Sequence, residues 1–338
     1  MAYHKVAHVR KFILVPVLII FFGGGLLFWN TYANNPYPDE PTTFGVTFST
    51  LYARELGLDW QKVYIETLDD LKIRNYRIPV YWNEIERDQG SIWLDDVRWM
   101  LDEAEKRDAH VFLAIGRRVP RWPECHPPDW TRNMPEEEIQ EHELHMIKTI
   151  VEEFKDHPAV DRWQVQNEPF FAFFGECAEP DEDFIRESIN LVKELDPSRP
   201  VLTTDSGELS TWSKTSDVAD VLGISMYRTT WNSVFGYFYY PLPPVHYSKK
   251  AEFVAPFVNE VIVTELQVEP WVPSTILTTT LDEQYRSMNP KRFESNIDFA
   301  RRTGFSEVYL WGVEWWAWLR DVHEEPAMWN AGRDVFML

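Results

Sequence analysis

Positive charge is what this chain has too little of. Its 338 residues carry 33 Lys and Arg against 54 Asp and Glu, a formal net charge of −21. A field of that sign repels phosphate backbones, so no nucleic-acid partner is expected. Several motifs are missing as well. No glycine-rich loop follows the first candidate strand, which disfavours a dinucleotide fold. No Gly-x-Ser-x-Gly elbow occurs, and no short repeat. His142-Glu143-Leu144-His145 spaces its histidines three apart, whereas a zinc-protease helix needs four. No metal or cofactor is therefore expected. Cysteine is limited to Cys125 and Cys177. Long apolar runs are limited to one, Phe12 to Trp29, which lies behind Lys5, Arg10 and Lys11.

That run is just long enough to span a bilayer, and its basic flank places the N-terminus in the cytoplasm. The expectation is a cytoplasmic segment 1–11, a transmembrane signal anchor 12–29, a linker 30–42 and an exported domain 43–338. Thr31-Tyr32-Ala33 also offers a signal-peptide cleavage site, which would make the domain secreted. The run exceeds the usual length of a signal-peptide core, which favours the anchor. In an oxidising compartment the two cysteines can pair. They lie in the loops after the third and fourth candidate strands, which neighbouring strands would bring together.

What the chain has in abundance is aromatic surface: 16 Trp, and 15% Phe, Trp and Tyr overall. Flat rings suit the C–H faces of sugars, although a large core also consumes them. Eight apolar, β-branched runs alternate with helical spacing. They begin near Thr43, Tyr76, His110, Ala159, Val201, Val221, Val261 and Glu307. Helical patterns cover 58–73, 94–106, 136–154, 183–195, 290–303 and 328–336, and residues 228–250 read as a long aromatic loop. Strand–helix alternation implies a parallel α/β fold. Polar and aromatic residues collect after most strands, which favours a closed (β/α)8 TIM barrel over an open sheet.

The fourth run ends in Trp163-Gln164-Val165-Gln166-Asn167-Glu168-Pro169, and the seventh delivers Glu265. A strand-end Asn-Glu-Pro followed by a second strand-end glutamate resembles the clan A retaining glycoside hydrolases. The resemblance implies a barrel enzyme acting on β-linked oligo- or polysaccharides, with Glu168 as acid/base and Glu265 as nucleophile. It further implies that Arg77 holds the ionised Glu265, Asn167 bonds a sugar 2-hydroxyl, Tyr227 donates to Glu265 and Trp311 forms the sugar's floor. Trp82, Trp122 and Trp315 are candidate stacking residues, and Glu314 a candidate substrate contact. Glu269 and Glu314 are the rival nucleophiles, less rigidly placed than Glu265. Arg117, Arg118 and Ser225 stand where better-known cellulases carry histidine or other residues. The arginine pair is expected to bridge to Glu124 or Asp129. A glycan-binding barrel without turnover and a transglycosylase are the competing functions.

Overall fold

The computed structural model describes residues 41–337. The anchor, the cytoplasmic segment and most of the linker fall outside the described residues. Among the described residues no helix is long and apolar enough to cross a membrane.

The described residues form ten strands: β1 (Thr43–Thr47), β2 (Asn75–Pro79), β3 (His110–Ile115), β4 (Val160–Val165), β5 (Val201–Asp205), β6 (Val221–Met226), β7 (Thr229–Asn232), β8 (Gly236–Tyr239), β9 (Glu260–Gln267) and β10 (Glu307–Trp311). Eight of them close into a barrel in the order β1-β10-β9-β6-β5-β4-β3-β2, while β7 and β8 make a separate antiparallel hairpin. Every barrel pairing is parallel. Parallel neighbours need helical crossovers, and these supply the outer layer. The helix Trp60–Asp69 starts where Asp59 accepts from the backbone N–H groups of Gln61 and Lys62, and it buries Val63, Tyr64, Thr67 and Leu68. Glu182–Leu195 is capped in the same way by Asp181 and buries Phe184, Ile185, Ile189 and Val192. Both follow the helical spacing of their apolar residues.

Two segments depart from the expectation. Residues 228–250 are not one loop: they hold the β7–β8 hairpin and the start of a helix, Pro244–Val254. Pro244 opens that helix from its first position, where proline's missing N–H costs nothing. Its apolar stripe is weak, so periodicity does not announce it. The stretch after β10 is the helix Val313–Val322, with Val313, Trp315, Trp316, Ala317, Trp318 and Leu319 all buried. Seven consecutive buried residues, Val313 to Leu319, leave no stripe to read in that part of the helix.

Inside the barrel, Phe112, Leu202, Val221, Ile262 and Tyr309 form an apolar floor. Toward the C-terminal ends of the strands the filling turns polar, with Arg77, Gln164, Thr204 and Thr264 all buried. β9 carries one residue more than its neighbours. Against β6 the register runs Ile224↔Val263 and then Ser225↔Glu265, passing over Thr264. Against β10 it runs Val308↔Val263 and then Leu310↔Leu266. A bulge of this kind bends a strand and re-aims its side chains.

Candidate active site

Arg77 projects inward from β2 and has no exposure to solvent. Its Nη1 donates to Glu265 Oε1 at 2.6 Å, its Nη2 to Asn167 Oδ1 at 2.7 Å and its Nε to Gln164 Oε1 at 2.7 Å. One guanidinium thus ties β2, β4 and β9 together at their C-terminal ends. The other oxygen of Glu265 accepts from Tyr227 Oη at 3.0 Å. Both carboxylate oxygens of Glu265 are therefore fixed, one by a charge-assisted bond.

Glu168 lies three residues past the end of β4, directly before Pro169. Its φ is +44°, and that of Gln166 is +59°. Such left-handed conformations are strained for residues with side chains and persist only where surrounding contacts enforce them. Those contacts are present. Gln166 accepts from the Arg118 backbone N–H at 2.9 Å and donates to Glu143. The Glu168 backbone N–H donates to Thr204 Oγ1 at 2.8 Å, and Thr204 Oγ1 donates to Asn167 Oδ1 at 2.8 Å. Ser225 Oγ donates to Glu168 Oε1 at 2.8 Å. Because Ser225 is the register partner of Glu265, the two glutamates meet at one end of the barrel. Burial pushes the Glu168 carboxyl well above the usual carboxylate range, and the charges of Glu265 and Glu124 push it further the same way.

Glu124, which the motif did not single out, is the third acid of the pocket. Asn167 Nδ2 donates to its Oε2 at 2.8 Å. Burial first, then the charge of Glu265, raises it from 4.5 to about 8. Its own φ is +73°. Next to it, Cys125 is bonded to Cys177, so the loop after β3 is stapled to the loop after β4. A Cβ on Gly175, itself at φ +90°, would come within 2.8 Å of Glu124 Cβ, so the two loops press together there.

Several expected contacts are reassigned. Trp82 and Trp315 are fully buried and donate to Glu86 and Gln284 respectively, so neither is available to stack on a ligand. Glu314 is also fully buried; it pairs with Arg121 at 2.9 Å and accepts from the Ser49 backbone N–H, so it does not face a substrate. Glu269 pairs with the same arginine at 2.5 Å and accepts from Trp311 Nε1 at 2.7 Å. Both rival nucleophiles are thus committed to Arg121, whose guanidinium lies between the rings of Tyr52 (3.7 Å) and Trp311 (4.0 Å). Arg117 pairs with Glu136 and Glu143, not with Glu124 or Asp129. Arg118 donates to the carbonyls of Phe171 and Phe174, and Asp129 pairs with Arg132. Glu143, in the motif that resembles a zinc helix, is buried and braces Gln166.

Of the stacking candidates only Trp122 is open, 58% exposed. It belongs to a strip of packed rings: Tyr227 edge-on to Trp271 (5.3 Å), Trp271 tilted against Phe174 (5.8 Å) and Phe174 edge-on to Trp122 (5.8 Å). The strip leads outward from Glu265.

Residues 87–238 match the family model described as glycosyl hydrolases family 2, TIM barrel domain. No curated protein matches the sequence. Among solved structures, the β-galactosidase of Rahnella sp. R3 aligns with a TM-score of 0.55 at 14% identity, covering 81% of this chain and 50% of that one. A GH5_18 variant from Bifidobacterium longum subsp. longum, in complex with Manβ1-4GlcNAc, aligns with a TM-score of 0.60 at 14% identity, covering 88% and 78%. Xylanase 10B of Thermotoga petrophila RKU-1, in complex with xylobiose, aligns with a TM-score of 0.55 at 17% identity, covering 80% and 81%. The chain therefore spans about half the length of that β-galactosidase. The likeness to these structures is one of fold.

Proposed function

We propose that the barrel is a retaining glycoside hydrolase acting on a β-linked oligo- or polysaccharide. The observation that carries this reading is the grip on Glu265, whose two oxygens are held by Arg77 and Tyr227 beside a buried Glu168 whose carboxyl is pushed well above the usual range. Retention requires one ionised carboxylate and one protonated carboxyl close together. Arg77 supplies a charge-assisted bond that aims Glu265. Burial and neighbouring negative charge keep a proton on Glu168.

In the first step Glu265 attacks the anomeric carbon, and the glycosidic bond breaks as Glu168 protonates the leaving oxygen. In the second, Glu168 takes a proton from water, and that water displaces Glu265. The aromatic strip from Tyr227 to Trp122 favours a substrate of more than one sugar, with rings for those beyond the cleaved bond. The uncharged run 12–29 supports a domain tethered outside a membrane. Fractionating full-length protein against a variant lacking residues 1–30 tests the tether.

The chemistry is tested with a fluorinated β-glycoside that accumulates the covalent intermediate, followed by mass spectrometry of the peptide containing Glu265. Glu265→Ala is expected to abolish turnover. Glu168→Ala is expected to retain it only for glycosides with good leaving groups, which need no proton. If Glu168→Ala cleaves ordinary glycans at the parent rate, the assignment of roles is wrong.

A further inference from the structure

Two side chains of the helix Pro244–Val254, three residues apart and so on one face, reach the loop that follows β5. Lys250 Nζ donates to the carbonyls of Gly207 and Ser210, at 2.7 Å each, and lies 3.9 Å from the centre of the Trp212 ring. Tyr247 Oη donates to Glu208 Oε1 at 2.5 Å. Between them, Gly207 is pressed onto the end of β6. A Cβ there would come within 1.9 Å of the Ser225 carbonyl oxygen, so a side chain would force the loop off the strand.

Held in this way, Glu208 reaches the residue that grips Glu265. Tyr227 is the first residue beyond β6, whose ladder to β9 ends at Met226↔Leu266. Its backbone N–H donates instead to Glu208 Oε1 at 3.1 Å, and the next two N–H groups, of Arg228 and Thr229, donate to Gln267 Oε1. A carboxyl from the neighbouring loop, rather than the sheet, therefore fixes the backbone of Tyr227. At the far end of the same residue, Oη donates to Glu265 Oε2 at 3.0 Å. A hydrogen bond of that length is lost with a shift of about 1 Å. Misplacement of that size can cost about a hundredfold in rate.

On the hydrolase reading, which makes Glu265 the nucleophile, we propose that Glu208 is a positioning residue acting through Tyr227. It sets the tyrosine at its backbone so that the hydroxyl meets the carboxylate, and Tyr247 and Lys250 lock it in place. Only Oε1 is engaged, since Oε2 has no hydrogen-bond partner among the described residues. A glutamine can supply the same acceptor, and an alanine cannot.

The test measures kcat/KM on 4-nitrophenyl β-glycosides (glucoside, galactoside, mannoside and xyloside), whose leaving group needs no acid, so that the value reports the attack by Glu265. Glu208→Ala is expected to lower it about tenfold, the scale of one lost hydrogen bond. Glu208→Gln is expected to stay within about threefold of the parent. In a Tyr227→Phe background, which has no hydroxyl to aim, Glu208→Ala should change the value less than about twofold. Lys250→Met, which leaves Glu208 in the chain but frees its loop, should show a loss with the same masking. A full loss in the Tyr227→Phe background, or no rescue by glutamine, overturns the positioning role and leaves the hydrolase reading standing. If the parent turns over neither these glycosides nor β-glucans, β-mannans and β-xylans, the hydrolase reading falls instead. The crystal structure of Glu208→Ala then decides the role of Glu208. Tyr227 Oη farther than about 3.5 Å from Glu265 Oε2 supports it, and a contact still at 3.0 Å overturns it.

Discussion

Replacing Glu124 by glutamine should make the protein more stable, and increasingly so as pH rises. In the fold its carboxyl is raised from 4.5 to about 8, chiefly by burial and next by Glu265. Below about pH 4.5 the group is protonated in both folded and unfolded chains, and its burial carries no electrostatic penalty. As pH climbs toward 8 the unfolded chain gives up the proton and the fold retains it, so stability falls. Past about 8 the loss is complete. At about 1.36 kcal/mol per pH unit, that interval corresponds to about 5 kcal/mol. Glutamine has the same shape, keeps an acceptor for Asn167 Nδ2 and never ionises. Urea denaturation followed by tryptophan fluorescence at about pH 5 and about pH 8.5 should therefore show a widening gap between variant and parent, of about 4 kcal/mol between the two conditions. An equal gap at both pH values would refute the assigned environment of Glu124, and so would a variant less stable than the parent at the higher pH.

Two further predictions concern the framework. Arg77→Met strands the Glu265 carboxylate and breaks four hydrogen bonds, so a stability loss of about 3–5 kcal/mol is expected on denaturant titration. A loss below about 1 kcal/mol would mean the guanidinium does not hold the site together. The disulfide closes a span of 52 residues, worth about 4 kcal/mol in the chain-entropy account. Reductant should lower the denaturation midpoint of the parent and leave a Cys125→Ser/Cys177→Ser double variant unmoved.

The barrel was legible because eight short, largely apolar strands alternate with helices, most of them with regular apolar spacing. The cluster of Arg77, Asn167, Glu168, Tyr227 and Glu265 in the candidate site was legible because these residues sit at or just beyond strand ends, where chain order fixes the face of the barrel. Loop residues were harder to place. Trp82, Trp122 and Trp315 look alike in sequence, yet two are buried and only Trp122 is open, because helices packed after the strands cover the others. Glu124 gave no local signal either. Its place depends on a left-handed backbone and on the bond between Cys125 and Cys177, whose effect on a neighbouring side chain has no periodic signature.

The extra residue in β9 has a consequence for how the strand faces the pocket. Below it, Ile262 looks into the barrel and Val263 toward the helices. Strict alternation would then aim Thr264 inward and turn Glu265 away from the cavity. With two consecutive residues on the inner side, Glu265 reaches Arg77 while Leu266 returns to the outer core. The direction of the Glu265 carboxylate is thus a matter of counting. Shortening this one strand by a single position would keep Glu265 in the chain and still turn its carboxylate away from Arg77.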